Sequence, residues 1–69
     1  MDEITKLRML LPHWIAHNGE HALEFKEYAG RAGEVQDMLL AAAGSLEEAN
    51  VKLSEALSKL GGRVAQKHA

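Results

Sequence analysis

The sequence predicts an all-α fold: a two-helix antiparallel hairpin that assembles into a four-helix bundle or a larger oligomer. Its composition is that of a helical chain, rich in Ala, Leu, Glu and Lys, with one proline and one each of Trp, Tyr and Phe. Apolar residues recur at heptad spacing along two stretches of similar length, which is typical of packed helices. Glycines at positions 30 and 33 separate the two stretches, and a short connection favours antiparallel neighbours.

The first helix is predicted from Asp2 or Glu3 to Ala29. Acidic residues at its start suit the positive end of the helix dipole. Pro12 interrupts it, and proline inside a helix removes one backbone hydrogen bond. Because the apolar repeat continues in phase across this proline, we expect one kinked helix, although a new helix starting at the proline is the alternative.

The second helix is predicted from about Glu34 to Leu60. Gly44 and Ser45 also resemble a helix end followed by a capping box, which would split this stretch into two helices. A leucine repeat that keeps its phase favours a continuous helix, and the following pair of glycines ends it. The hairpin domain therefore spans residues 1–62, and residues 63–69 form a flexible C-terminal tail. The repeat consists of Leu39, Leu46, Leu53 and Leu60, with alanines at Ala42, Ala49 and Ala56.

Three histidines follow one another at four-residue spacing in the first helix: His13, His17 and His21. Side chains four residues apart share one face of a helix. We expect this face to be the inner seam of the hairpin, with His21 opposite Ala42. Imidazoles and carboxylates there are costly unless paired, and a metal ion satisfies several at once. With Leu7 at heptad position a, the seam contains Leu7, Leu10, Trp14, His17, His21, Glu24 and Tyr28.

The candidate metal ligands are these three histidines together with Glu20 and Glu24. His13 and His21 are about 12 Å apart along a helix axis, too far to share one ion. An ion would therefore use two adjacent histidines, completed by a glutamate or by a partner chain. Imidazole favours Zn, Ni, Co or Cu over Mg or Ca. The function predicted is binding of a divalent transition metal for storage, delivery or sensing, without catalysis.

Two alternatives remain open. One is a structural oligomerisation module whose buried histidine layer bonds Asn50 or Glu24 and holds no metal. The other is a di-metal oxidase formed between chains, in which Glu20, Glu24 and His21 converge from two copies. No HExxH motif, phosphate-binding glycine loop or nucleophile with an adjacent base is recognisable, so a non-enzymatic role is preferred.

Composition excludes several classes of partner. The net charge of -2 offers no basic surface for nucleic acid, and the chain has no cysteine for thiolate metal sites. No apolar stretch approaches the ~20 residues needed to span a bilayer. We therefore expect a cytoplasmic protein, a homodimer or higher homo-oligomer, that binds neither nucleic acid nor membrane.

The run LxxLLPHWIxHNxxHAxxFxxYA, followed by EANxxLxxALxxLGG, resembles a group of small uncharacterised helical-hairpin domains in bacteria and archaea. The resemblance extends from Leu7 to Gly62, and its distinctive part is the HWxxHNxxH motif that begins at His13. It implies a helical hairpin and marks the histidine positions. It implies no activity.

Overall fold

The computed structural model of the protein describes residues 2–64, and these form a hairpin of two long helices. Helix α1 spans Glu3–Ala29 and helix α2 spans Gln36–Lys59, with a single turn of 3₁₀ helix, Gly33–Val35, between them. The all-α hairpin predicted from the heptad pattern is confirmed. Neither helix is long and apolar enough to cross a membrane.

Helix α1 begins where the sequence predicts, because Asp2 caps it. The Asp2 carboxylate accepts a hydrogen bond from the backbone N–H of Thr5 at 2.7 Å, which satisfies one of the unpaired amides at the helix start. This backbone hydrogen bond also lowers the pKa of Asp2 below its ordinary value of 3.8. The helix then continues through Pro12 without ending, so the single-helix interpretation is confirmed.

The connection is slightly longer than the sequence predicts. Helix α2 begins at Gln36, two residues after Glu34, because Gly33–Val35 form the 3₁₀ turn first. Gly33 has a φ of 60°, a left-handed conformation that glycine adopts without strain. Helix α2 then runs without a break through Gly44, so the predicted continuous helix is confirmed.

Two glycines end helix α2 in a Schellman motif. The backbone N–H of Gly62 donates to the carbonyl of Leu57 at 2.9 Å, and the N–H of Gly61 donates to Ser58 at 3.1 Å. Gly61 has a φ of 102°, as this motif requires. Of the predicted tail, Arg63 and the residue after it belong to no helix. Residues 65–69 lie outside the described part of the chain.

The inner face of the hairpin differs from the predicted one. Helix α1 meets helix α2 through the neighbouring heptad positions b and e, whereas Trp14, His17, His21 and Tyr28 are exposed. The physical reason is that small side chains let two helices approach closely, and alanine occupies three of the four most buried positions. The buried residues are Leu11, Ala22, Ala29 and Ala43, with Ile15, Asn18 and Phe25 half-buried beside them.

On helix α2 the leucine seam is partly confirmed. The four leucines of the repeat are half-buried, but their alanine partners Ala49 and Ala56 are exposed. Ala43, which is fully buried, takes the inner position instead. Helix α2 is therefore also rotated, by one heptad position, from the orientation that the leucine and alanine seam predicts.

The alignment of the two helices also differs from simple counting about the turn, which pairs His21 with Ala42. Arg8 bonds Gly62, and Asn18 bonds Asn50, so the numbers of residues at the same height add up to about 70. The 3₁₀ turn accounts for part of this shift, since it delays the start of α2 by two residues.

The side chain of Arg8 joins the start of α1 to the end of α2. Its Nε donates to the carbonyl of Gly62 at 2.7 Å, and its Nη2 donates to the carbonyls of Arg63 at 3.3 Å and Gly61 at 3.5 Å. A cation at the C-terminal end of a helix is favoured by the helix dipole. Arg8 therefore fixes the end of the hairpin opposite the turn.

Candidate metal-binding site

The three histidines form a row along an exposed flank of helix α1, which we call the histidine flank. His13, His17 and His21 are all exposed. They lie beside the hairpin interface, not within it, because the interface uses positions b and e of the heptad. The expectation that these imidazoles face helix α2 of their own chain is therefore wrong. Their exposure removes the desolvation cost that an inward position would carry.

The rings of the histidine flank are in contact along its length. The centroids of His13 and His17 are 5.3 Å apart and nearly parallel, at 29°. Those of His17 and His21 are 5.5 Å apart at 62°. The row continues to Phe25, whose ring lies 6.2 Å from that of His21. His17, in the middle, is therefore adjacent to both of the other imidazoles, as i, i+4 spacing predicts.

Glu24 holds the ring of His21. Its Oε1 lies 3.1 Å from Nδ1 of His21, one helical turn earlier, and both side chains are largely exposed. A carboxylate accepts at this distance only when Nδ1 carries the proton. The lone pair of neutral His21 is then on Nε2. Carboxylates that bond one ring nitrogen are the usual partners of metal-bound histidines.

Glu20 is exposed and lies between His17 and His21 in the sequence. Across residues 2–64, no three histidine, aspartate or glutamate side chains converge in a ready-made metal cluster. Two adjacent imidazoles supply two of the four donor atoms that a tetrahedral metal ion needs. A complete site on this flank would thus need rotation of nearby side chains, water, or ligands from another molecule.

Of the two partners that the structural alternative names, Glu24 bonds His21, whereas the hydrogen bonds of Asn50 go to other residues. Asn50 accepts a hydrogen bond from Asn18 at 3.1 Å and donates to the carbonyl of Ile15 at 3.0 Å. The heptad pattern reveals neither this polar pair as a unit nor the role of Arg8. Both contacts depend on the alignment of the helices, which the sequence pattern left ambiguous.

Comparison with known proteins shows a family match. The model of a domain of unknown function, DUF8180, matches residues 7–60. No curated protein matches the chain, and no solved structure does. The matched segment includes the three histidines, Glu20 and Glu24. Since the match covers most of the chain, the protein belongs to the DUF8180 family of domains of unknown function.

Proposed function

We propose that the protein binds a divalent first-row transition-metal ion through His17 and His21, for storage, delivery or sensing of the metal. The observation that carries this proposal is the row of contacting imidazoles on an exposed flank, with ring centroids 5.3 and 5.5 Å apart. Two imidazoles one helical turn apart can direct nitrogen atoms to a common point beside the helix. Zn, Ni, Co and Cu ions all accept imidazole nitrogen.

As metal ligands, His17 and His21 are preferred to His13 and His17 because Glu24 orients the ring of His21. The carboxylate of Glu24 accepts from Nδ1 of His21, which fixes the orientation of the ring and leaves Nε2 free to bind a metal ion. No glutamate is hydrogen-bonded to His13 or His17 among the described contacts. Glu24 therefore acts through His21, and we assign it a positioning role.

Further coordination positions have two candidates on the same helix. His13 contacts the other side of the His17 ring, and Glu20 lies one helical turn beyond His17. A tetrahedral ion needs four donors, so one of these side chains together with water, or donors from another molecule, would complete the set. Exposure of the flank leaves room for such donors.

The test is a metal titration of protein purified without a metal-affinity column and stripped with a chelator. Isothermal titration with Zn²⁺, Ni²⁺, Co²⁺ and Cu²⁺ should give a saturable binding curve for at least one ion. His17→Gln should abolish it. Glu24→Gln should weaken it by about 10–100-fold, as loss of a carboxylate behind a ligating histidine does. Glu27→Gln is the matched control, since Glu27 is also exposed on α1, and it should leave affinity unchanged.

Two results would overturn the proposal. If none of the four ions binds or raises the melting temperature, the histidine row has no metal function, and the oligomerisation module becomes the better account. If His13→Gln abolishes binding while His21→Gln leaves it intact, the assigned pair is wrong.

A further inference from the structure

The hairpin buries little apolar surface and exposes much of it. No large side chain is fully buried among the described residues, and the buried set contains a single leucine. Large apolar side chains are instead exposed, including Trp14 at 41%, Tyr28 at 59% and Met38 at 69%. A core of this size supplies little of the stability that a small domain needs. The hairpin therefore leaves an apolar face without a partner.

Three rings and three alanines make up this face, and they lie at matching heights. The members of each set are seven residues apart. Two residues at the same height along the hairpin have numbers that add up to about 70, as Arg8 with Gly62 and Asn18 with Asn50 show. Each ring is thus level with an alanine of the other helix. The ring/alanine face consists of Trp14, His21 and Tyr28 on α1 and of Ala56, Ala49 and Ala42 on α2.

Both sets lie on the same side of the hairpin. On each helix the set lies next to the buried residues, to one side of them. Because the helices are antiparallel, the rings of α1 and the alanines of α2 lie on the same side of the plane that contains both helix axes. The ion pair between Lys26 and Glu47, at 2.6 Å, lies on the opposite side of the hairpin. One surface of the hairpin therefore carries this ion pair, and the other combines rings with alanines.

We propose that a second copy of this chain covers the ring/alanine face, with a two-fold axis parallel to the helices. This axis places α1 of each copy over α2 of the other, so every ring lies over an alanine. Large side chains opposite small ones give interdigitated packing. If α1 packed on α1 instead, rings would meet rings and alanines would meet alanines, which leaves gaps that close-packed interfaces do not contain.

Charge and size agree with this arrangement. At the edge of the face, Glu20 lies at nearly the same height as Lys52, and both are exposed. In the two-fold dimer Glu20 would therefore lie beside the partner's Lys52, with opposite charges together. The hairpin measures 47 × 27 Å in its two longer dimensions, which is enough for the roughly 800 Å² per partner that a stable interface buries.

The test measures mass and the environment of Trp14, the only tryptophan, in the presence of EDTA, so that metal binding plays no part. Sedimentation velocity at micromolar concentration should give a dimer. Trp14 emission should shift to the red on dilution as the dimer dissociates. Ala49→Glu should produce a monomer, whereas Ala41→Glu should remain a dimer, because Ala41 is exposed on the outer side of the same helix.

A helical wild-type monomer at these concentrations, or a stoichiometry other than two, would overturn the proposal. So would an Ala41→Glu variant that dissociates as fully as Ala49→Glu. If Ala49→Glu does not fold, the emission of wild-type Trp14 decides, and emission that does not change with concentration counts against the dimer. His21 and Glu20 belong both to this face and to the proposed metal site, so the EDTA keeps the test of the dimer separate from that of the metal proposal.

Discussion

Asn50 and Asn18 form a side-chain hydrogen bond of 3.1 Å between the two helices. Asn50 also donates to the carbonyl of Ile15 at 3.0 Å, so its amide serves as both acceptor and donor. Both asparagines are half-buried. Such a pair forms at only one alignment of two helices, and polar residues in helical interfaces commonly specify register in this way.

Replacing Asn50 with alanine should destabilise the hairpin. The amide of Asn18 would lose its partner in a half-buried position, which costs about 1–3 kcal/mol in the free energy of unfolding. Urea denaturation followed by circular dichroism measures this. Ser54→Ala, an exposed position one turn later on the same helix, is the control and should change the value by less than about 0.5 kcal/mol. Equal effects of the two variants would contradict a specific role for Asn50.

Two glycine-to-alanine variants should have opposite signs. Gly61 has a φ of 102°, and an alanine there would be strained by roughly 1–2 kcal/mol. Gly44 lies inside α2 with no atom within 4 Å of an added Cβ, so Gly44→Ala should stabilise the helix by about 0.5–1 kcal/mol. Thermal denaturation of both variants should move the melting temperature in opposite directions. A lower melting temperature for Gly44→Ala would argue against the continuous helix.

Arg8→Lys should loosen the end of helix α2. Lysine keeps the charge, but it cannot direct separate nitrogen atoms to Gly62 and Arg63 as the guanidinium does. The free energy of unfolding should fall by about 1.5 kcal/mol. This is at the lower end of the range for hydrogen bonds to charged groups, because the site is partly exposed. Hydrogen exchange at the amides of Gly61 and Gly62 should become faster. Arg31→Lys, beside the turn, should leave those rates unchanged.

Acid should weaken the start of helix α1. The pKa of Asp2 is lowered from 3.8 by its hydrogen bond to the backbone of Thr5, so the folded form holds the ionised carboxylate. The stabilisation that this cap gives the helix is complete above pH 3.8, the ordinary pKa of the carboxyl. It is lost as the pH falls through the lower pKa of the folded protein. Exchange protection of the Thr5 amide, measured by NMR, should decline over that acidic range. In Asp2→Asn, which caps without titrating, this decline should be absent.

The helix boundaries follow closely from the sequence, because local signals determine them. Asp2 supplies a cap, and Gly61 supplies a left-handed residue, so α1 starts where predicted and α2 ends within one residue of the predicted Leu60. Helix α2 begins later than predicted because the conformation at Gly33 favours one turn of 3₁₀ helix first. The continuity of α2 through Gly44 is also confirmed, since the leucine repeat outweighs one unfavourable residue.

The rotation of the helices could not be predicted in the same way. Two adjacent apolar stripes run along α1, one with Trp14 and Tyr28 and another with Leu11 and Ala22. A count of large apolar residues predicts that the first stripe is buried between the helices. In the hairpin the second stripe is buried instead, because its small residues allow the helices to approach. The histidines therefore lie on the flank, and their proposed metal binding rests on their mutual contacts and on Glu24.

The small size of the buried set, a single leucine with three alanines, has a calorimetric consequence. Heat capacity rises on unfolding in proportion to the apolar surface that becomes hydrated, by about 12–15 cal/mol/K per residue in ordinary globular domains. One hairpin melting alone should fall well below that average. Two hairpins melting as a unit should approach it, with a transition temperature that rises with protein concentration.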